Sequence, residues 1–125
     1  MTTISYSDFE KLDIRVGTVK AAQVPAWSHW VMKLTVEFGE EIGTRTIFAG
    51  IMKFYEPDTI VGRQLPFLVN IEPKKIGPKE EDGTQNFSQG MMLAATVPAP
   101  SGNPEEEKPV LFSLIEPVPD GSKVR

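Results

Sequence analysis

The sequence predicts an all-β fold: a closed five-stranded Greek-key barrel with one short helix and extensions at both termini. Apolar and polar residues alternate with period two over residues 14–24 and 32–38, the spacing by which a strand buries one face and wets the other. Clusters of Gly, Pro, Asn and Asp then interrupt the chain at short intervals and leave segments too short for ordinary helices. A length of 125 residues suits one domain with one core, so residues 1–125 read as a single domain.

Taken in order, Ser7 and Glu10 have the spacing of a capping box and predict a short helix through Leu12, with Phe9 and Leu12 on its apolar side. Ile14, Val16 and Thr18 alternate in a first strand, with Gly17 as a bend or bulge and Pro25 as its stop. In the second strand Met32, Leu34, Val36 and Phe38 face one way and Lys33, Thr35 and Glu37 the other. Residues 39–43 turn the chain into a third strand, 44–48. A helical turn at 59–61 precedes a fourth strand, 65–71; residues 91–97 supply the fifth, and 111–115 a final short strand outside the barrel. Residues 72–89 read as a polar loop. The Pro-, Gly- and Glu-rich residues 98–109 read as a mobile one. Five strands and one small helix between the third and fourth fit a barrel of the oligonucleotide- and oligosaccharide-binding type (OB-fold), although other small all-β folds share the pattern.

Composition narrows the function. Forty per cent hydrophobic and 24% charged residues are ordinary globular values. The absence of cysteine removes disulfides, thiolate metal sites and a cysteine nucleophile. No segment has the apolar length of a membrane span, and the first eight residues lack the form of a secretory signal, so no membrane partner and a cytoplasmic location are expected. His29 is the only histidine, and its neighbours Trp27, Ser28 and Trp30 offer it no carboxylate. No catalytic residue, metal site or cofactor is therefore expected, and the chain reads as a binding protein rather than an enzyme.

A net charge of -4 at first disfavours a polyanion, whose affinity comes mainly from Lys and Arg. Acids and bases balance, nine of each, up to Lys75, and the surplus acid lies in the runs 80–82 and 105–107. Those runs fall in Pro- and Gly-rich segments that read as solvated loops. In an OB-type barrel the ligand lies across the second and third strands, between the loops joining strands one to two and four to five. Lys33 and Arg45 fall on those strands, and Lys74 and Lys75 in the second of those loops. Four cations would then meet on one face as a phosphate backbone requires. Each also has the plain reading of a solvated surface charge. For Trp27 and Trp30 two readings stand: stacking on unpaired bases, or burial at the barrel end or in a subunit contact.

Several separated blocks, in the right order, add to this: FEKLDIRVG at 9–17, Ala49-Gly50-Ile51, NIEPKK at 70–75 and SQGMMLAA at 88–95. Together they resemble the tRNA-binding domain family, which includes C-terminal domains and free-standing subunits of methionyl-tRNA synthetase, small structure-specific tRNA-binding proteins and an export-related chaperone branch. The resemblance implies an OB-fold, tRNA as partner without DNA, a homodimer, and association with an aminoacyl-tRNA synthetase. It implies that Lys33, Arg45, Lys74 and Lys75 hold phosphates and that Asn70 and Ser88 hydrogen-bond the RNA. His29 and Trp30 stand where the family commonly has Asp and Lys, and an acidic insertion, 77–87, follows the basic segment. Acids beside the binding cations weaken their pull on phosphate. A dimeric chaperone that binds extended peptides beside Trp27, Trp30, Phe48 and Phe54 is the alternative.

Overall fold

The computed structural model describes all residues from Met1 to Arg125. In chain order its elements are α1 (Tyr6–Glu10), β1 (Ile14–Gln23), β2 (Met32–Glu37), β3 (Thr44–Ala49), α2 (Pro57–Ile60), β4 (Gln64–Leu68), β5 (Lys74–Ile76), β6 (Asn86–Ser88), β7 (Met91–Met92), β8 (Ala94–Val97), a 3₁₀ turn (Pro104–Glu106), β9 (Lys108–Leu111) and β10 (Lys123–Val124). The barrel is antiparallel in the order β3-β2-β1-β4-β7, the nearly closed five-stranded OB-type barrel that the alternation predicts.

Alternation does what period two requires. Met32, Leu34, Val36 and Phe38 are all buried, and they meet Val19, Ile47, Ile60, Leu65, Phe67 and Val69 in one core. Phe38 and Phe67 pack edge to face with centroids 5.5 Å apart, a favoured aromatic geometry. Gly17 serves a different purpose from the expected bend. A Cβ there would stand 2.5 Å from Val36 Cγ1 and 2.7 Å from the Phe38 ring, so Gly17 makes room for the core while the register shift falls between Val19 and Ala21.

β3 and β7 share no ladder, and side chains close the gap. The free N–H groups of Thr46 and Phe48 donate to Gln89 Oε1 (2.8 Å) and Ser88 Oγ (3.0 Å), while Gln89 N–H donates to Thr46 O (2.8 Å). Sealing an exposed strand edge in this way leaves it nothing to pair with elsewhere.

Other expectations are corrected. The short helix is capped by Ser5, whose hydroxyl accepts from Asp8 N–H (3.1 Å), rather than by Ser7. Residues 72–89 contain the β5–β6 hairpin, and 98–109 close a second hairpin, β8–β9. Residues 91–97 divide between two sheets, because Leu93 N–H bonds back to Pro66 O (3.0 Å) before Ala94 leaves to pair with Leu111. The last strand of that hairpin ends at Leu111, which leaves Phe112 and Ile115 exposed. Beyond them the chain is bolted back to the barrel: Asp120 Oδ1 accepts from Thr18 (2.5 Å) and Gln64 (3.2 Å), and Gly121 N–H donates to Val16 O (2.7 Å).

Candidate functional site

The β1–β2 loop is shaped by one buried hydroxyl. Ser28 Oγ accepts from Trp30 N–H (3.2 Å) and Val31 N–H (2.9 Å) and donates to Val31 O (2.7 Å), a local turn of the kind Ser favours. The two flanking tryptophans part company as a result. Trp27 is half-buried on Phe48, with centroids 6.3 Å apart, and covers Gly77, where a Cβ would meet its ring at 2.5 Å. Trp30 is 61% exposed. Its indole rests on Gly50, where a Cβ would lie 2.0 Å from Nε1.

β-Register decides which cations share a face. Lys33 pairs with Phe48 and Val36 with Arg45, and directly opposed residues lie on the same side of a sheet. Since Val36 is buried, Arg45 lies on the core side and Lys33 on the outside. The Arg45 guanidinium donates to Val69 O (2.6 Å) and Gln89 O (3.2 Å), capping carbonyls at the end of the barrel. Asn70 clamps the N-terminal segment: its Oδ1 accepts from Asp13 N–H (2.9 Å) and its Nδ2 donates to Lys11 O (2.7 Å). Ser88 is buried, accepting from Phe48 N–H and donating to Gly90 O (2.9 Å).

Around Phe48 the arrangement differs. One recess, of about 470 Å³, is lined by Trp30, Phe48, Ile71, Lys74 and Met91, and a second by Trp27, Lys33, Phe48, Glu80 and Asn86. Lys33 and Lys74 thus flank the same aromatic ring, and Trp30 adjoins it. Lys75, whose partner on β6 is the exposed Phe87, lies on the hairpin's other face from Lys74, whose partner is the buried Ser88. None of Lys33, Lys74 or Lys75 has a carboxylate within ion-pair distance; the three ion pairs are Lys11–Asp8, Arg15–Asp13 and Arg15–Glu41.

The acidic run sits at the tip of the β5–β6 hairpin. Glu80 accepts from Asn86 Nδ2 (2.7 Å), and Asp82 is held below the usual carboxylate range by the hydroxyl and the backbone N–H of Thr84. The Asn86 bond holds Glu80 in the recess that Lys33 also lines. No group of three or more His, Asp or Glu side chains comes together as a metal site would need.

Lys53 was not legible in the sequence. It is exposed and unpaired, and with Trp30 and His29 it lines a further cavity of about 400 Å³ beneath the β8–β9 hairpin. The segment that carries it has no periodic signal; only the fold brings it to the tryptophan.

A family model described as "Putative tRNA binding domain" matches residues 14–123. The methionine–tRNA ligase of Deinococcus radiodurans is 38% identical over 122 residues, which are 98% of this chain and 16% of that protein; the enzyme of Methanococcoides burtonii is 38% identical over 83% of this chain and 14% of its own length. The chain therefore spans less than a fifth of these curated relatives. Among solved structures it is similar to a MetRS related protein from Pyrococcus horikoshii, with a TM-score of 0.78 and 31% identity over the whole of both chains. It is equally similar in shape to the chaperone CsaA of Bacillus anthracis, with a TM-score of 0.79 and 27% identity over 99% of this chain and 100% of that one.

Proposed function

This chain belongs to the tRNA-binding domain family, and we propose that it is a non-catalytic module that holds tRNA by its backbone and folded shape. The observation that carries the reading is the pair of unpaired lysines, Lys33 and Lys74, on either side of Phe48 with the exposed Trp30 adjoining. Phosphates neutralised by the two ammonium groups supply affinity through counterion release. Trp30 supplies a stacking surface for an unpaired base. Lys75, on the far face of the hairpin, adds long-range attraction. Arg45, Asn70 and Ser88 serve the site through the framework, by keeping β3 and the β4–β5 connection in place.

Exposed Phe112 and Ile115 lie between two anchored segments, and they fit a two-fold contact that would double the cationic surface. A dimer lets one tRNA engage two sites, raising affinity through effective concentration. Delivery of tRNA to an aminoacyl-tRNA synthetase is the partner role that the ligase relatives suggest.

Peptide binding is the second reading, favoured by the apolar wall of Phe48, Ile71 and Met91 and by the likeness to CsaA. Titrating the purified protein with bulk tRNA at several salt concentrations separates the two. A steep linear fall of log affinity with log salt supports tRNA. Salt-insensitive binding of an extended apolar peptide, with no binding of tRNA at low salt, overturns it.

A further inference from the structure

Trp30 and Gly50 line two cavities at once, the recess that holds Lys74 and the one beneath the β8–β9 hairpin. The indole is thus a partition, with one cavity on each side. The hairpin cavity has aromatic surface from Trp30 and Phe54, two carboxylates from Glu105 and Glu107, and the cation Lys53. None of the three charged groups is in an ion pair or accepts or donates a side-chain hydrogen bond elsewhere.

That combination selects among ligands. A bare cation would meet Lys53, and a bare anion would meet two carboxylates. A flat ligand with N–H donors at one edge and an anionic group at the other satisfies both ends. Among nucleobases, guanine alone presents two adjacent donors on its Watson–Crick edge, N1–H and the 2-amino group, which match the two oxygens of a carboxylate. Adenine and cytosine set an acceptor nitrogen beside their amino group, and uracil sets carbonyls beside its N–H, so a carboxylate is repelled by each. Bases splayed out of a folded RNA are read in this way, by stacking and by edge hydrogen bonds.

We propose that the cavity between Trp30 and the β8–β9 hairpin is a guanine subsite, in which an unpaired guanine stacks on Trp30, donates to Glu105 or Glu107 and sets its 5′-phosphate toward Lys53. This rests on the tRNA-binding reading and deepens it: the polymer passes over the Trp30 partition, its backbone held on the Lys74 side. The acidic run 105–107, which lowers overall affinity for phosphate, becomes the source of base selectivity.

The test is a titration of the full chain with GMP, AMP, CMP and UMP, followed by the two indole N–H resonances. GMP should bind tightest and shift Trp30 rather than Trp27. Replacing Glu105 and Glu107 together by Gln should cut GMP affinity about tenfold or more, in keeping with the value of a bidentate base contact, and leave AMP binding undiminished, because the carboxylates it removes repel adenine. Gly50→Ala, which drives the indole from its seat, should abolish the shift without altering either carboxylate. Equal binding of the four nucleotides, or a Trp30 shift produced by N-acetylargininamide or a free amino acid but not by GMP, overturns the proposal. Failure here with intact salt-dependent tRNA binding leaves the tRNA reading standing; GMP binding by a protein that ignores tRNA would overturn that reading instead.

Discussion

Arg15 and Arg45 stand at the end of the barrel where β1 begins and β4 finishes; Lys33 and Lys74 stand toward the other, in recesses that share Phe48. Both arginines are engaged by the protein itself. Arg15 bonds Asp13 (2.6 Å), Glu41 (3.2 Å) and Gly121 O (3.1 Å), and the bonds to Asp13 and Glu41 hold its guanidinium above the usual range. Arg45 caps Val69 O and Gln89 O. The lysines have no such partners. A rigid fork with five donors suits fixed carbonyls and carboxylates, whereas a flexible ammonium left in water stays available to a ligand. Equal charge at the two ends therefore does different work, and net charge alone misjudges the chain.

The largest effect is expected at Arg45. Arg45→Ala leaves two carbonyls short of a donor and should lower unfolding stability by about 1–3 kcal/mol, read by urea denaturation, with no change in the salt slope of tRNA binding. A changed slope with unchanged stability would move Arg45 to the ligand. Next come the tryptophans. Trp30→Ala should weaken tRNA binding by about 1–2 kcal/mol and leave stability within about 0.5 kcal/mol. Trp27→Ala should do the reverse, lowering the melting temperature because its ring covers Phe48 and Gly77. Lys75→Ala should change the salt slope by less than the roughly one unit of a direct phosphate contact.

The smallest effect is at Asp82. A carboxyl whose pKa is depressed on folding stabilises above its unfolded pKa, and that stabilisation is lost as pH falls through the folded value. Thr84→Val removes the hydroxyl bond and should raise the Asp82 pKa toward the ordinary range, as read by NMR titration. An unmoved Asp82 would show that the hairpin tip is not ordered by Thr84.

Much of the barrel was legible because its strands obey a local rule. Met32, Leu34, Val36 and Phe38 could be assigned to the core from spacing alone. Which face Arg45 takes could not, because it depends on the residue count of the turn between β2 and β3, and one residue more or less would reverse it. The resemblance marks Ser88 as a hydrogen-bonding partner of the RNA, and in the fold its hydroxyl, with the Gln89 side chain, bonds a strand edge some 40 residues away, a contact that no local pattern announces. Three-residue strands such as β5 and β6 carry too little periodicity to be seen at all. Lys33, Lys74 and Trp30 were legible as candidates, but their grouping around Phe48 needed the fold.

The most direct measurement is the salt dependence of tRNA affinity for the native chain and for the Lys33→Ala, Lys74→Ala double variant. The expected slope for the double variant is shallower by about 2, roughly one per lost phosphate contact, with an unchanged unfolding midpoint. Parallel salt plots for the two proteins would contradict it.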